Sequence, residues 1–211
     1  MLDVFLTIVL PVFLVAGTGA ALQRWRKLSV GTLSPVTVYL LSPALVFRFL
    51  IGTDLPASTS IRLVAAAVLS TLAFAVVGIA LSLALRQNRA LRSGFLLVTM
   101  FPNAGNMGLP MSLLAFGETG LAVAVVMFVT QATIAWPLGI FIAARSRAHG
   151  LAPLLEALKV PSIYAVALAL IIRLVDWDLP PTISVPVGLL ADAAIPSMLI
   201  VLGFQIAHGV E

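Results

Sequence analysis

FPNAGNMGLP, Phe101 to Pro110, decides how this 211-residue chain is read. Two prolines, two glycines and two asparagines fall within ten residues, inside a run that is otherwise apolar. An unbroken helix from Arg92 to Glu118 would extend about 39 Å at 1.5 Å per residue, against the ~30 Å hydrocarbon core of a bilayer. Pro102 disfavours helix at Phe101. Gly105 and Gly108 permit backbone angles closed to other residues, and Pro110 suits the first turn of a new helix. These residues predict a half-helix ending near Pro102, an unwound stretch, and a second half-helix starting near Leu109. Uncoiled backbone at membrane depth is tolerated only where protein or a polar cavity covers it. The positive end of the second half-helix, at Leu109 to Ser112, would face the break and suit an anion. Asn103 and Asn106 would add amide groups that bind a carboxylate without a fixed charge. A plain proline kink with helix-capping asparagines is the simpler reading. The clustering of six such residues in ten favours the site.

Composition supports a lipid environment. The chain is 61% hydrophobic and 9% charged, whereas soluble domains are roughly 45–50% apolar and about 25% charged. The fold class is therefore an all-α integral membrane protein. The absence of cysteine excludes disulfides, thiolate metal sites and cysteine nucleophiles. No phosphate loop, HExxH or nucleophile elbow occurs, so neither an enzyme, a cofactor nor a metal site is expected. The net charge of +4 comes without basic stretches interleaved with aromatics, so nucleic acid is not an expected partner.

Seven hydrophobic segments run approximately over 4–22, 33–52, 62–85, 93–116, 119–143, 160–175 and 183–207. The first lacks a basic n-region and carries Asp3, so it reads as a spanning helix and not as a signal peptide. Nine of the twelve basic residues lie in alternate loops: Arg24, Arg26 and Lys27, then Arg86, Arg89 and Arg92, then Arg145, Arg147 and Lys159. Those loops are assigned to the cytoplasm, which places the N-terminus outside. Pro161 follows Pro11 by 150 residues, and Pro196 follows Pro43 by 153. Segments one and two thus resemble six and seven. The copies are offset by five segments, an odd number, so the repeat is inverted, as in many secondary transporters. The expected domains are a five-helix repeat over 1–145 and the start of a second over 146–211. Three further helices, one of them broken, would complete the second copy.

FPNAGNMGLP, followed by LLAFGETGLAVAVVMFVTQ, resembles the broken fourth helix and the fifth helix of the auxin efflux carrier family. SPALVF and IPSMLIVLGFQ extend the resemblance along the chain. It implies ten helices in two inverted five-helix repeats, similar to the bile acid–sodium symporter fold, of which seven segments are present. It also implies a carrier of organic anions: dicarboxylates such as malate and malonate, or auxin-like acids. By position, Asn103, Gly105, Asn106, Gly108 and Pro110 match the first crossover. Ala104 stands where relatives often carry a small polar residue.

Two further polar residues are candidates. Gln131 lies between Thr130 and Thr133 in segment five. It either contacts substrate or bonds to a neighbouring helix. Asp192 in segment seven is either a proton or cation site or the cap of a helix that begins later. Arg48 in segment two is expected to snorkel to the outer surface. Small residues such as Ala16, Ala20, Gly78 and Ser82 would let helices approach closely, within the chain or across a homodimer. The expected function is secondary transport of small organic anions by alternating access in the cell (inner) membrane, with H+ or Na+ as candidate coupling ion. The alternative is a seven-helix membrane sensor or scaffold.

Overall fold

The computed structural model describes residues 2–28, 30–52, 56–144 and 161–208. All regular structure among them is helical. We label α1 Leu2–Arg26 and α2 Val30–Gly52, α3 Ala57–Ala84, α4 Arg89–Met100, α5 Leu109–Ala144, α6 Pro161–Leu174 and α7 Pro181–His208. Five helical runs are long and apolar enough to cross a membrane: α1, α2, Ser58–Ala84, Leu91–Ile134 and α7. The 14-residue α6 is shorter. Large apolar side chains point outward along these helices, among them Leu14, Leu69, Val76, Val98 and Leu189. Such exposure is unusual on a soluble monomer and is what a lipid-facing surface requires. The expected repeat boundary at 145/146, together with Arg145, Arg147 and Lys159, lies outside the described residues.

Prolines shape the local helix geometry. A proline lacks an N–H and its ring crowds the carbonyl four residues earlier. Three π-helical turns, Phe5–Val9, Thr37–Leu41 and Ala104–Gly108, precede Pro11, Pro43 and Pro110. In each, the residue just before the proline donates to a carbonyl five residues back: Leu10 to Phe5, Ser42 to Thr37, and Leu109 to Ala104. The wider turn gives the ring room without ending the helix. Pro161 instead opens α6, and Pro196 lies within α7.

The chain divides into two compact units. The first comprises Met1–Asp54, Asn103–Val125 and Pro161–Glu211. Within it α7 packs on α1 and α2, and α2 packs on α6. The α1–α7 seam is close enough to exclude side chains. A Cβ on Gly19 would sit 2.6 Å from the Ile200 carbonyl oxygen. One on Gly203 would collide with the Ala16 carbonyl oxygen and lie 2.7 Å from the Ala20 amide nitrogen. The expected close approach at Ala16 and Ala20 therefore occurs within the chain, where backbones meet across small residues. At the far end of α6, the Arg173 guanidinium donates to the Leu50 carbonyl at 2.9 Å.

The second unit comprises Leu55–Pro102 and Val126–Val160. Its α3 and α4 pack together, with Gly78 admitting Leu96 and Thr99 at 3.0 and 3.5 Å from a notional Cβ. Arg86 ends α3 in the left-handed region, φ 49. The Asn88 side chain accepts the Leu91 N–H at 2.9 Å to cap α4.

Gly17 and Gly203 give opposite expectations for one substitution. Nothing lies within 4 Å of a Cβ on Gly17, so Gly17→Ala gains up to ~1 kcal/mol of helix propensity. Gly203→Ala overpacks the seam and costs about 1–3 kcal/mol. Thermal unfolding of the two purified variants in detergent checks this. Equal Tm values for both would disprove the seam.

Candidate functional site

The helix does break where the sequence predicts, but differently in detail. α4 ends at Met100, and its C-cap Phe101 is extended at φ −122, ψ 84. Asn103, at φ −73, ψ 63, is the last non-helical residue. The uncoiled stretch is therefore residues 101–103. Helix resumes at once as the π turn Ala104–Gly108 and continues into α5. The α-helix itself starts at Leu109, as expected, but the π turn before it already carries the helix back five residues, so the positive helix end is at Ala104, not at Leu109 to Ser112.

Asn103 explains the early restart. Its Oδ1 accepts the Asn106 backbone N–H at 3.3 Å. Its main-chain carbonyl accepts from the Met107 and Gly108 amides, both at 3.2 Å. One residue thus satisfies three donors at the head of the helix, which is the capping role. The amides of Ala104 and Gly105 have no acceptor among the described residues, as expected for the first N–H groups of a helix. Gly105 and Gly108 do not use the wider backbone range open to glycine. Both are helical, and the positive-φ glycine among the described residues is Gly117, at φ 66. Gly117 turns the chain between the fourth and fifth predicted segments, inside what is otherwise one helix. A Cβ at Gly108 would meet only ordinary contacts, 3.7 Å from the Ala104 Cβ. Pro110 is buried in the first turn of α5, as predicted.

Exposure differs across the motif. Asn103 is exposed, and Ala104 through Gly108 are half-buried. The π turn packs against α7. What the motif offers is two backbone amides, the NH2 of the Asn103 side chain, which has no acceptor among the described residues, and the Asn106 side chain, all on one turn at a positive helix end. That is a donor set for an anion. Gln131 belongs to the second compact unit and is half-buried. Its neighbours Thr130 and Thr133 bond back to the Val126 and Val129 carbonyls, each at 2.8 Å.

Asp192 lies well inside α7, which starts at Pro181, so it does not cap that helix. Its Oδ1 pairs with Nη1 of Arg48. The same nitrogen donates to the Gly188 carbonyl at 3.2 Å. Arg48 therefore engages α7 and does not simply snorkel. Sequence reading treated the two charges singly. The available signal was that each stands alone, with opposite sign, in an apolar segment, and each needs a partner there. Among the described residues, no group of three or more His, Asp or Glu side chains could hold a metal ion.

A family model described as membrane transport protein matches residues 4–210. No curated protein and no solved structure matches the chain.

Two predictions separate structural from binding roles. Asn103→Ala removes the cap and costs about 1 kcal/mol, whereas Asn103→Ser keeps a capping oxygen and preserves Tm in detergent. For the ion pair, Arg48→Met or Asp192→Leu alone leaves a charge without its partner. The double variant recovers stability, so a double-mutant cycle reads a coupling of about 1 kcal/mol; additive losses would exclude the pairing.

Proposed function

The chain belongs to the membrane transport family of the auxin efflux carriers, and from that premise we propose that it carries small organic anions by alternating access. It is a multi-pass membrane transporter. The observation that carries the finer reading is the break at residues 101–103 within the apolar run Leu91–Ile134. That run has 44 residues, about 66 Å if fully helical. Twice the ~30 Å hydrocarbon thickness accounts for it, so it is counted as two crossings that meet at Gly117. With α1, α2, α3, α6 and α7 the count is seven.

Substrate recognition is assigned to the turn that follows the break. A carboxylate would accept from the Ala104 and Gly105 amides and from the Asn103 and Asn106 side chains. Gly105 and Gly108 keep the turn free of side-chain bulk, and Pro110 holds the helix behind it. Malate, malonate and auxin-like acids suit such a donor set because it supplies hydrogen bonds and a helix end without a trapping charge. Gln131 is a second, separate candidate contact.

Packing in the first unit supports an inverted repeat. An operation that exchanges α1 with α6 and α2 with α7 turns the α1–α7 contact into the α6–α2 contact. It maps the α2–α7 contact onto itself. Those are the helix pairs that pack. Asp192 is the proposed site for coupling to H+ or Na+. Since Arg48 already neutralises it, a bound cation would have to displace the guanidinium. An N-terminus outside the cell membrane and a homodimer belong to the same reading.

Uptake of radiolabelled malonate or malate into proteoliposomes tests the site. Asn106→Ala and Asn103→Ser are expected to lower uptake at least tenfold while Tm stays within a few degrees of wild type. Wild-type rates in both variants would remove the turn from the binding site.

A further inference from the structure

Helix packing does not account for the Arg48–Asp192 pair. Arg48 stands four residues before the end of α2 at Gly52, and Asp192 eleven residues after the start of α7 at Pro181. Eleven residues span about 16 Å, so the carboxylate lies far from a helix end. Arg48 turns onto α7, where the same Nη1 meets Asp192 Oδ1 and the Gly188 carbonyl. At the 153-residue offset that aligns Pro43 with Pro196, Arg48 corresponds to Val201 and Asp192 to Tyr39. The α2–α7 contact recurs under that exchange, yet its charges do not, so joining the helices does not require the pair.

The guanidinium stands where a free cation would bind. Asp192 Oδ1 and the Gly188 carbonyl come from residues four apart on α7, neighbours on one helix face. A carboxylate with a main-chain carbonyl is a ligand set for a hard cation in membrane carriers. Gly188 leaves the approach clear: what a Cβ there would meet is Arg48 Nη1 itself, at 4.0 Å. The Asp192 side chain is 69% exposed, so an ion reaches it without unpacking α2 from α7. Once displaced, Arg48 can snorkel to the helix end four residues away. We propose that Arg48 is a tethered cation that competes with a free monovalent cation, such as Na+, for these two oxygens. Ion binding unties α2 from α7 at this point, and ion loss restores the tie. A link to transport rests on the coupling role proposed above for Asp192; the binding itself does not.

Thermal unfolding of the full chain in detergent, titrated with NaCl at an ionic strength held constant by choline chloride, reads Na+ binding without any substrate. Wild type is expected to bind Na+ weakly. Arg48→Gln removes the tethered competitor and should lower the apparent Kd for Na+ about tenfold. Asp192→Asn and Arg48→Gln/Asp192→Asn should show no Na+ response. Arg48→Lys keeps a tethered charge but loses the planar fork, and should tighten Na+ binding about threefold. If Arg48→Gln does not fold, Arg48→Lys decides alone. Equal Na+ affinity in wild type and the folded Arg48 variants, or no Na+ response in any of them, would overturn the inference. So would a Na+ response that survives Asp192→Asn. A Na+ response through Asp192 that leaves malonate uptake independent of Na+ would keep the site and remove coupling from the proposed function.

Discussion

In hydrocarbon every backbone N–H and C=O must find its partner within the protein, and most of this structure answers that demand. Pro11, Pro43 and Pro110 each remove a donor from an apolar helix. At all three, a π turn precedes the ring, and the chain stays helical. Pro102 is the exception. It follows Phe101, which leaves the helix, and three residues pass before the ladder resumes. The break is tolerable because Asn103 immediately supplies a side-chain oxygen and a carbonyl to the new helix. In the proposed carrier it would also be useful, because the Ala104 and Gly105 amides would be available to a ligand.

On the proposed function the same asparagine would therefore serve two ends. Capping and binding are usually set against each other as explanations of an asparagine in a broken helix. Here they would use different atoms: Oδ1 caps, while the NH2 would be left for a substrate. Capping also fixes the side-chain orientation, which lowers the entropy lost when a ligand binds.

Helix association in the first unit rests on backbone proximity, since lipid leaves little hydrophobic gain between helices. Gly19 and Gly203 bring α1 and α7 within contact of main-chain atoms. The Arg48–Asp192 pair ties α2 to the same α7. α7 is thus the common partner of α1, α2 and the π turn after the break, and it packs behind that turn while carrying Asp192.

The membrane class, the helical segments and the break at Pro102 were legible in the amino-acid sequence alone. Each depends on effects that act over a few residues: apolar length, a missing N–H, a ring against the preceding residue. The helix restart at Ala104 was not legible. Asn103 could cap a helix or wait for one at Leu109, and only the folded backbone chooses. Nor could sequence tell that Gly105 and Gly108 are ordinary helical residues while Gly117 takes the left-handed turn. Gly17 and Gly203 look alike in sequence, yet one faces open space and the other a carbonyl. Arg48 and Asp192 are 144 residues apart, and Gln23 meets the end of α7 only in the folded chain. Such pairings depend on which helices pack and at what rotation, and that is decided by tertiary contact, because nothing in the local sequence encodes the identity of a distant neighbour.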